Sequence, residues 1–372
     1  MNIFKISKST SNLLNILRWV SAFLVLIGHL RSITFINLPE VHNPNILWKI
    51  FYFFTGFGHQ AVIVFFALSG FLVGSSILKR YKNRNLSFKN YIIIDRGIRI
   101  YLVLIPALIL TAILDNIGSN YFNISNIYSH GIDFASMHYS IIDRLNIKTF
   151  IGNIFMLQES YVTTFGSNSP LWSLAYEVWY YILFFIVVEI FYVKSINKKV
   201  ILFTILLSIS LILNIKIVLY FTIWLIGVSL WYINFKFQKL YIVLAIAFFV
   251  IWLFISRIHL LSNNFLEDFI LALSIGSLIL IIKNNNISFI KFNKLNDFFS
   301  KFSYSLYVVH FPMIIFIVSV LNKTFNINIQ HPPSITRLLY FISILITIYL
   351  LAYTFYYFTE KNTKKIQQRF LK

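Results

Sequence analysis

The fold this sequence predicts is an all-α, polytopic integral membrane bundle of about ten transmembrane helices with both termini cytoplasmic. Three observations carry that expectation. Hydrophobic residues make up 58% of the chain and charged residues 12%, against roughly 45–50% and about 25% in soluble proteins. Apolar stretches near the length of a bilayer crossing recur from end to end, so lipid is the natural solvent. The basic residues gather in the segments between alternate stretches, as topology signals do.

Taken in order, the apolar stretches lie at 13–31, 59–78, 98–115, 170–193, 200–214, 217–233, 240–256, 266–282, 303–321 and 338–358. The first follows Lys5 and Lys8 and imitates a signal peptide. No small-residue cleavage site follows and Arg18 interrupts the run, so it reads as an uncleaved first membrane helix. Segments 1–18, 79–99, 194–199, 236–239, 283–301 and 361–372 hold 24 of the 32 Lys and Arg residues. The other eight are Arg31, Lys49, Arg144, Lys148, Lys216, Arg257, Lys323 and Arg337. That bias places both ends of the chain inside.

The longest outer segment, 116–169, is rich in Asn, Ser and Tyr and carries Asp133, Asp143 and Glu159, with Asp115 at its edge. It reads either as a lid or substrate platform or as a connector. The whole of 1–372 reads as a single transmembrane domain with no appended soluble domain. The net charge of +20 resides in those short clusters, which is no nucleic-acid signature. Aromatics are dense (Phe 40, Tyr 22, Trp 7), as suits lipid-facing packing and interfacial belts. There is no cysteine, which removes disulfides, thiolate metal sites and thiol nucleophiles. The heavy use of Asn, Ile, Lys and Phe hints at a bacterial source.

Ionisable groups inside apolar helices cost at least ~2.5 kcal/mol at a helix centre, so each requires a reason. Arg18 and His29 share the first span. Their separation is about three helical turns, which puts them on one face roughly 16 Å apart. Gly28 beside His29 allows close approach of another backbone or a ligand. Snorkelling of Arg18 to headgroups and a satisfied bundle histidine are the structural alternatives.

A second group opens with Ser169 as an N-cap and Pro170 at the first helical position. Ser173, Glu177 and either Tyr180 or Tyr181 then fall on one face, with Glu177 at a depth comparable to His29. A carboxylate near a histidine can orient the ring, stabilise its protonated form, or act as base itself.

Small residues around Ser69 and Gly70 suggest close helix packing. Arg96 and Arg99, followed by Tyr101 and Pro106, suit phosphate, or serve only as an inside-positive signal. His310 stands beside Pro312 inside a membrane helix. Phosphate loops, dinucleotide fingerprints and metal-ligand spacings are all missing.

In sequence order these segments resemble acyltransferase family 3, which includes bacterial O-antigen and peptidoglycan O-acetyltransferases. The resemblance rests on Arg-x10-His at Arg18 and His29, on Phe-Phe-x-Leu-Ser-Gly-Phe at 65–71 and on Arg96-x-x-Arg99-Ile-Tyr. It continues with Trp172-Ser173-Leu174-x-x-Glu177-x-x-Tyr180, with Tyr304-Ser305-Leu306-Tyr307-x-x-His310 and with Tyr357-Phe358-x-Glu360-Lys361. Trp19, the Trp179-Tyr180 pair and Asn362 depart from the usual pattern.

The resemblance implies acetyl-CoA as the acyl donor, bound from the cytoplasm without a metal, and an envelope glycan as acceptor. It implies a multi-pass protein of the bacterial cytoplasmic (inner) membrane, in contact with the lipid bilayer and with no nucleic-acid partner. A homo-oligomer and a longer acyl group stay open. His29, Glu177 and Arg18 are then the expected catalytic residues, with His29 deprotonating the acceptor hydroxyl or briefly carrying the acyl group, the base role being favoured. Arg96, Arg99, Ser69, Ser173, Tyr180, Tyr304 and His310 are the expected donor- and substrate-binding residues. The competing class is a glycan flippase, polymerase or exporter, which uses intramembrane charge to hold an anionic lipid carrier.

Overall fold

The computed structural model describes residues 8–83, 87–132, 134–234, 236–285 and 293–370. Lys5 and Asp133 lie outside the described residues. The chain is helical, with isolated bridges in place of a sheet among the described residues. Among the described residues fifteen α-helices follow in order: α1 (Lys8–Thr34), α2 (Ile46–Phe54), α3 (Gly58–Ser69), α4 (Ser75–Lys82), α5 (Ile98–Tyr121), α6 (Ile147–Ile154), α7 (Leu171–Tyr192) and α8 (Ile196–Ile212). Then come α9 (Ile215–Ser229), α10 (Lys239–Ile258), α11 (Asn264–Asn285), α12 (Asn293–Lys301), α13 (Ser303–Phe325), α14 (Ile335–Phe358) and α15 (Thr363–Phe370). Single π-helical stretches at Gly70–Gly74 and Lys89–Gly97 run into α4 and α5.

Among the described residues, eight helical stretches are long and apolar enough to cross a membrane, or nine if one bent pair counts as a span. The bent pair corrects the two expected spans at 200–214 and 217–233. Their helices, α8 of 17 residues and α9 of 15, are each shorter than the ~20 residues a crossing takes. They meet at a 120° bend, where Asn214 caps the new helix by accepting from the Lys216 amide at 2.9 Å. Each of the other expected spans coincides with one long helix except 59–78, which is built from α3, the π-helical stretch and α4 in continuous succession. Only 11% of the most apolar window of α10 is buried, against 72% in α13. With Ile251 and Val243 exposed on it, α10 is a lipid-facing helix, whereas α13 is core.

By its internal contacts the chain divides into two compact units, neither of them continuous in sequence. The first comprises Met1–Ser21, His59–Arg96 and Tyr176–Lys301. Its centre is an apolar cluster of Leu14, Val64, Ala67, Leu68, Phe71, Leu230, Ile275 and Ile279. Two glycines let its helices cross at backbone contact. A Cβ on Gly70 would fall 1.9 Å from the Trp224 carbonyl oxygen, and one on Gly227 would fall 2.1 Å from that of Ala67. Backbone cannot give way as a flexible side chain can. Gly227→Ala is therefore expected to lower stability by about 1–3 kcal/mol, measured as an earlier thermal midpoint in detergent. The buried Lys283 ammonium closes the same region, donating to the carbonyls of Leu230 at 2.6 Å and Ile233 at 3.0 Å beyond α9.

The second unit comprises Ala22–Gly58, Gly97–Ala175 and Phe302–Lys372. Here α13 packs between α5 and α14. Buried Arg337 donates from Nε at 2.9 Å to the Thr34 carbonyl, one of those that helix geometry leaves open at the end of α1, and from Nη2 at 2.6 Å to the Asn328 carbonyl beyond α13. Glu360 accepts from the Ser305 amide at 3.2 Å and its hydroxyl at 2.8 Å. It thereby joins two of the sequence motifs at the first turn of α13.

The long segment after α5 is folded and pinned. It buries Phe134, Met137, Ile141, Met156 and Phe165. Asp115, itself buried, accepts from the Ser167 amide at 2.7 Å and hydroxyl at 2.8 Å. Gly166 between them has φ +54°, and a Cβ there would lie 2.3 Å from Asp115 Oδ2. The Arg144 guanidinium sits 3.3 Å from the Tyr139 ring centroid. Burial pushes the Tyr139 phenol up and the Arg144 guanidinium down from their ordinary pKa values.

Candidate active site

The expected site residues fall into two clusters, one in each unit. In the second unit the organising feature is Pro312, which sits inside α13. Proline has no N–H to give the carbonyl one turn earlier, and that carbonyl belongs to Val308. The side-chain amide of buried Asn168 fills the vacancy at 2.9 Å, while also donating to the Thr111 hydroxyl at 3.2 Å. Asn168→Ala is expected to cost about 1–3 kcal/mol, since it leaves a buried carbonyl unpaired; a denaturation midpoint in detergent measures it. Nothing in the sequence points to Asn168 beyond its place before the α7 motif.

One turn of α13 away, His310 is 1% exposed. Its Nδ1 lies 2.7 Å from the Tyr307 carbonyl oxygen. A carbonyl only accepts, so the proton is on Nδ1 and Nε2 carries a lone pair. That Nε2 is buried and finds no hydrogen-bond partner among the described residues.

The His29 ring lies 5.3 Å from that of His310, centroid to centroid, and stands edge-on to Phe311 at 4.7 Å. His29 is half-buried. Gly28 beside it does what its size suggested: a Cβ there would meet the Thr55 carbonyl oxygen at 3.1 Å, with Gly58 close behind.

Ser173 joins the same cluster. Its hydroxyl lies 2.6 Å from that of Tyr307, which in turn donates to the Pro170 carbonyl at 3.1 Å. Helix α7 begins at Leu171, so Pro170 sits in the turn just before it rather than at its first helical position. Tyr304, half-buried, donates to the Ile100 carbonyl at 3.3 Å. Arg99 is half-buried in this unit.

In the first unit the organising residue is Glu177. Its Oε1 accepts from the Ser69 hydroxyl at 2.6 Å and from the Tyr181 hydroxyl. The Trp224 indole N–H donates to Ser69 Oγ at 3.2 Å. The choice between Tyr180 and Tyr181 on this face is thereby resolved: Tyr181 reaches Glu177. The Tyr180 hydroxyl is buried without a partner among the described residues, in a nest of Phe66, Tyr176, Phe221 and Trp224 rings. Ser69 ends α3 where the π-helical stretch begins, and such bulges are frequent at functional sites. Trp224 is a candidate site residue that sequence reasoning passed over, and Tyr181 stood there only as the alternative to Tyr180.

Arg96 donates from Nε at 3.2 Å and Nη2 at 2.9 Å to the hydroxyl of buried Tyr91. Its guanidinium also lies 5.9 Å from the Tyr181 ring centroid. Arg80 covers the other part of this basic patch and pairs with Asp95. Arg18 is half-buried on α1. Around it, Asn15 donates to Asp297 at 2.9 Å and Trp19 to Asn296 at 3.1 Å, so this end of α1 is bound by α12.

Each cluster pairs a group that accepts protons or hydrogen bonds with neighbours that fix its orientation. Among the described residues no three His, Asp or Glu side chains converge as metal ligands would. A family profile described as an acyltransferase domain matches residues 12–357, nearly the whole chain. No curated protein and no solved structure matches it.

Proposed function

This chain belongs to acyltransferase family 3, and we propose that it moves an acetyl group from cytoplasmic acetyl-CoA to a hydroxyl of an envelope glycan in the bacterial inner membrane. The observation that carries this reading is the imidazole pair, His29 beside a His310 whose buried Nε2 finds no hydrogen-bond partner among the described residues. Acyl transfer needs such a group. As the acceptor oxygen bonds to the acetyl carbon, its proton passes to His29, the carbon–sulfur bond breaks, and the proton is returned to the CoA thiolate. His310 orients the acceptor hydroxyl through Nε2.

The donor is anionic, and Arg96, Arg99 and Arg18 supply positive charge for it. Arginine suits phosphate through its charge and its array of N–H donors. Glu177 acts as the carboxylate of the reaction, its orientation set by Ser69 and Tyr181. Ser173 and Tyr304, both in the second unit, are assigned to substrate binding, and Tyr180 to the same role from the first unit.

The reading is tested by purified protein in nanodiscs with acetyl-CoA, following CoA release with and without surface glycan extracted from cells lacking the gene. Glycan-dependent release is expected. Glycan from cells carrying the gene is then heavier by about 42 daltons per modified residue, the mass an acetyl group adds on transfer. A flippase or exporter gives neither result, and their joint absence would sink the proposal.

A further inference from the structure

Beyond the residues assigned above, the first unit carries a second carboxylate–imidazole arrangement. Asp268, 2% exposed at the start of α11, accepts from His59 Nε2 with both oxygens at 2.9 Å and from the Tyr220 hydroxyl at 2.6 Å. Its neighbour Glu267, equally buried, accepts from the Leu261 amide at 2.6 Å and meets His259 Nδ1 at 3.3 Å. A buried carboxylate in an apolar helix is costly enough to require a reason.

Tying α3, α9 and α11 together would be one reason, but a tie does not need an exposed ring. The His59 side chain is 44% exposed. Its Nε2 is committed to Asp268, and no described residue pairs with its Nδ1. A buried acid therefore holds an imidazole in a fixed orientation with one nitrogen presented outward. Beside it, Gln60 is buried with its amide N–H on the Ser256 carbonyl at 2.9 Å and its Oε1 unpaired. Aromatic faces flank the cluster, with the Tyr220 ring 5.5 Å from Phe265 and 6.3 Å from Tyr176.

We propose that His59, oriented by Asp268 and Tyr220, is an acceptor-binding residue that hydrogen-bonds a hydroxyl of a saccharide. This rests on the acyl-transfer reading above. A hydroxyl suits the outward nitrogen in either protonation state. It donates to Nδ1 of the neutral ring and accepts from the N–H of the charged one. Ring faces beside a planar polar group suit the mixed apolar and polar surface of a sugar. The loop charges put this end of α3, α10 and α11 away from the cytoplasm, the side on which a glycan waits. Metal binding is a poor fit, because no third ligand of suitable type joins His59 and Asp268 among the described residues.

The test is steady-state kinetics in nanodiscs, with acetyl-CoA and the surface glycan extracted from cells lacking the gene. His59→Leu is expected to raise the apparent KM for glycan about tenfold, the loss of one hydrogen bond, while the KM for acetyl-CoA moves less than about twofold. Removing His59 alone leaves Asp268 with a lost partner and can unfold the unit. The double variant His59→Leu/Asp268→Leu replaces the pair with apolar groups, a change that proteins tolerate better than half a pair, and it is expected to show the same split. An unchanged glycan KM in either folded variant overturns the proposal, as does a rise in both constants together. A wild-type protein with no glycan-dependent CoA release would instead overturn the acyl-transfer reading itself.

Discussion

His29→Ala is expected to lower glycan acylation by about a hundredfold to ten-thousandfold, while the protein still inserts and elutes as wild type by size. That range is what a positioned general base contributes. The expectation follows from the packing of the ring. His29 touches His310 and Phe311, is half-buried, and shares its helix with a Gly28 that the Thr55 carbonyl crowds. Truncating the ring removes little core, so lost activity with intact fold separates chemistry from stability.

His310→Ala is expected to cost about a hundredfold, since its Nε2 would position the hydroxyl rather than take its proton. The two effects are not additive if the rings act on the same hydroxyl. The double variant should therefore resemble His29→Ala alone. CoA release and glycan mass in membranes of each variant measure this, and unchanged activity in His29→Ala would end the base assignment.

Most of the architecture was legible in the sequence, because lipid imposes a simple rule: backbone polar groups are satisfied inside helices about 20 residues long. Long apolar runs such as 303–321 and 338–358 became α13 and α14 with little adjustment. The rule failed where the chain bends. Two short runs meet at Leu213 and Asn214, and hydropathy cannot distinguish two spans from one broken span. The π-helical stretches at 70–74 and 89–97 have no hydrophobic period of their own and were not foreseen.

The site was legible as a set of costly residues and less so as a set of contacts. His29, His310 and Glu177 stood out because an ionisable group in an apolar helix needs a reason. Asn168 did not, because the carbonyl it satisfies is left open by a proline 144 positions further along the chain, between Asn168 and Pro312. His59 and Asp268 sit at the ends of their apolar runs, 209 residues apart, where a charge looks like ordinary solvation. Long-range pairing of this kind has no signature in a single sequence.

Glu177→Gln is expected to lower kcat about a hundredfold with little change in stability. Oε1 of Glu177 takes hydrogen bonds from two hydroxyls, Ser69 and Tyr181, and Trp224 holds the serine in turn. Glutamine is the same shape and can still accept from both, so the fold survives. It carries no negative charge and cannot take up a proton, so any step that relies on the carboxylate fails. Tyr181→Phe keeps the charge but removes one of the two donors, and a hydrogen bond to a charged group is worth about 1.5–3 kcal/mol. If that bond serves to position Glu177, kcat falls about tenfold to a hundredfold while the KM for acetyl-CoA holds. If Tyr181 only packs against Trp224, as its ring does, phenylalanine serves equally well and kcat is unchanged.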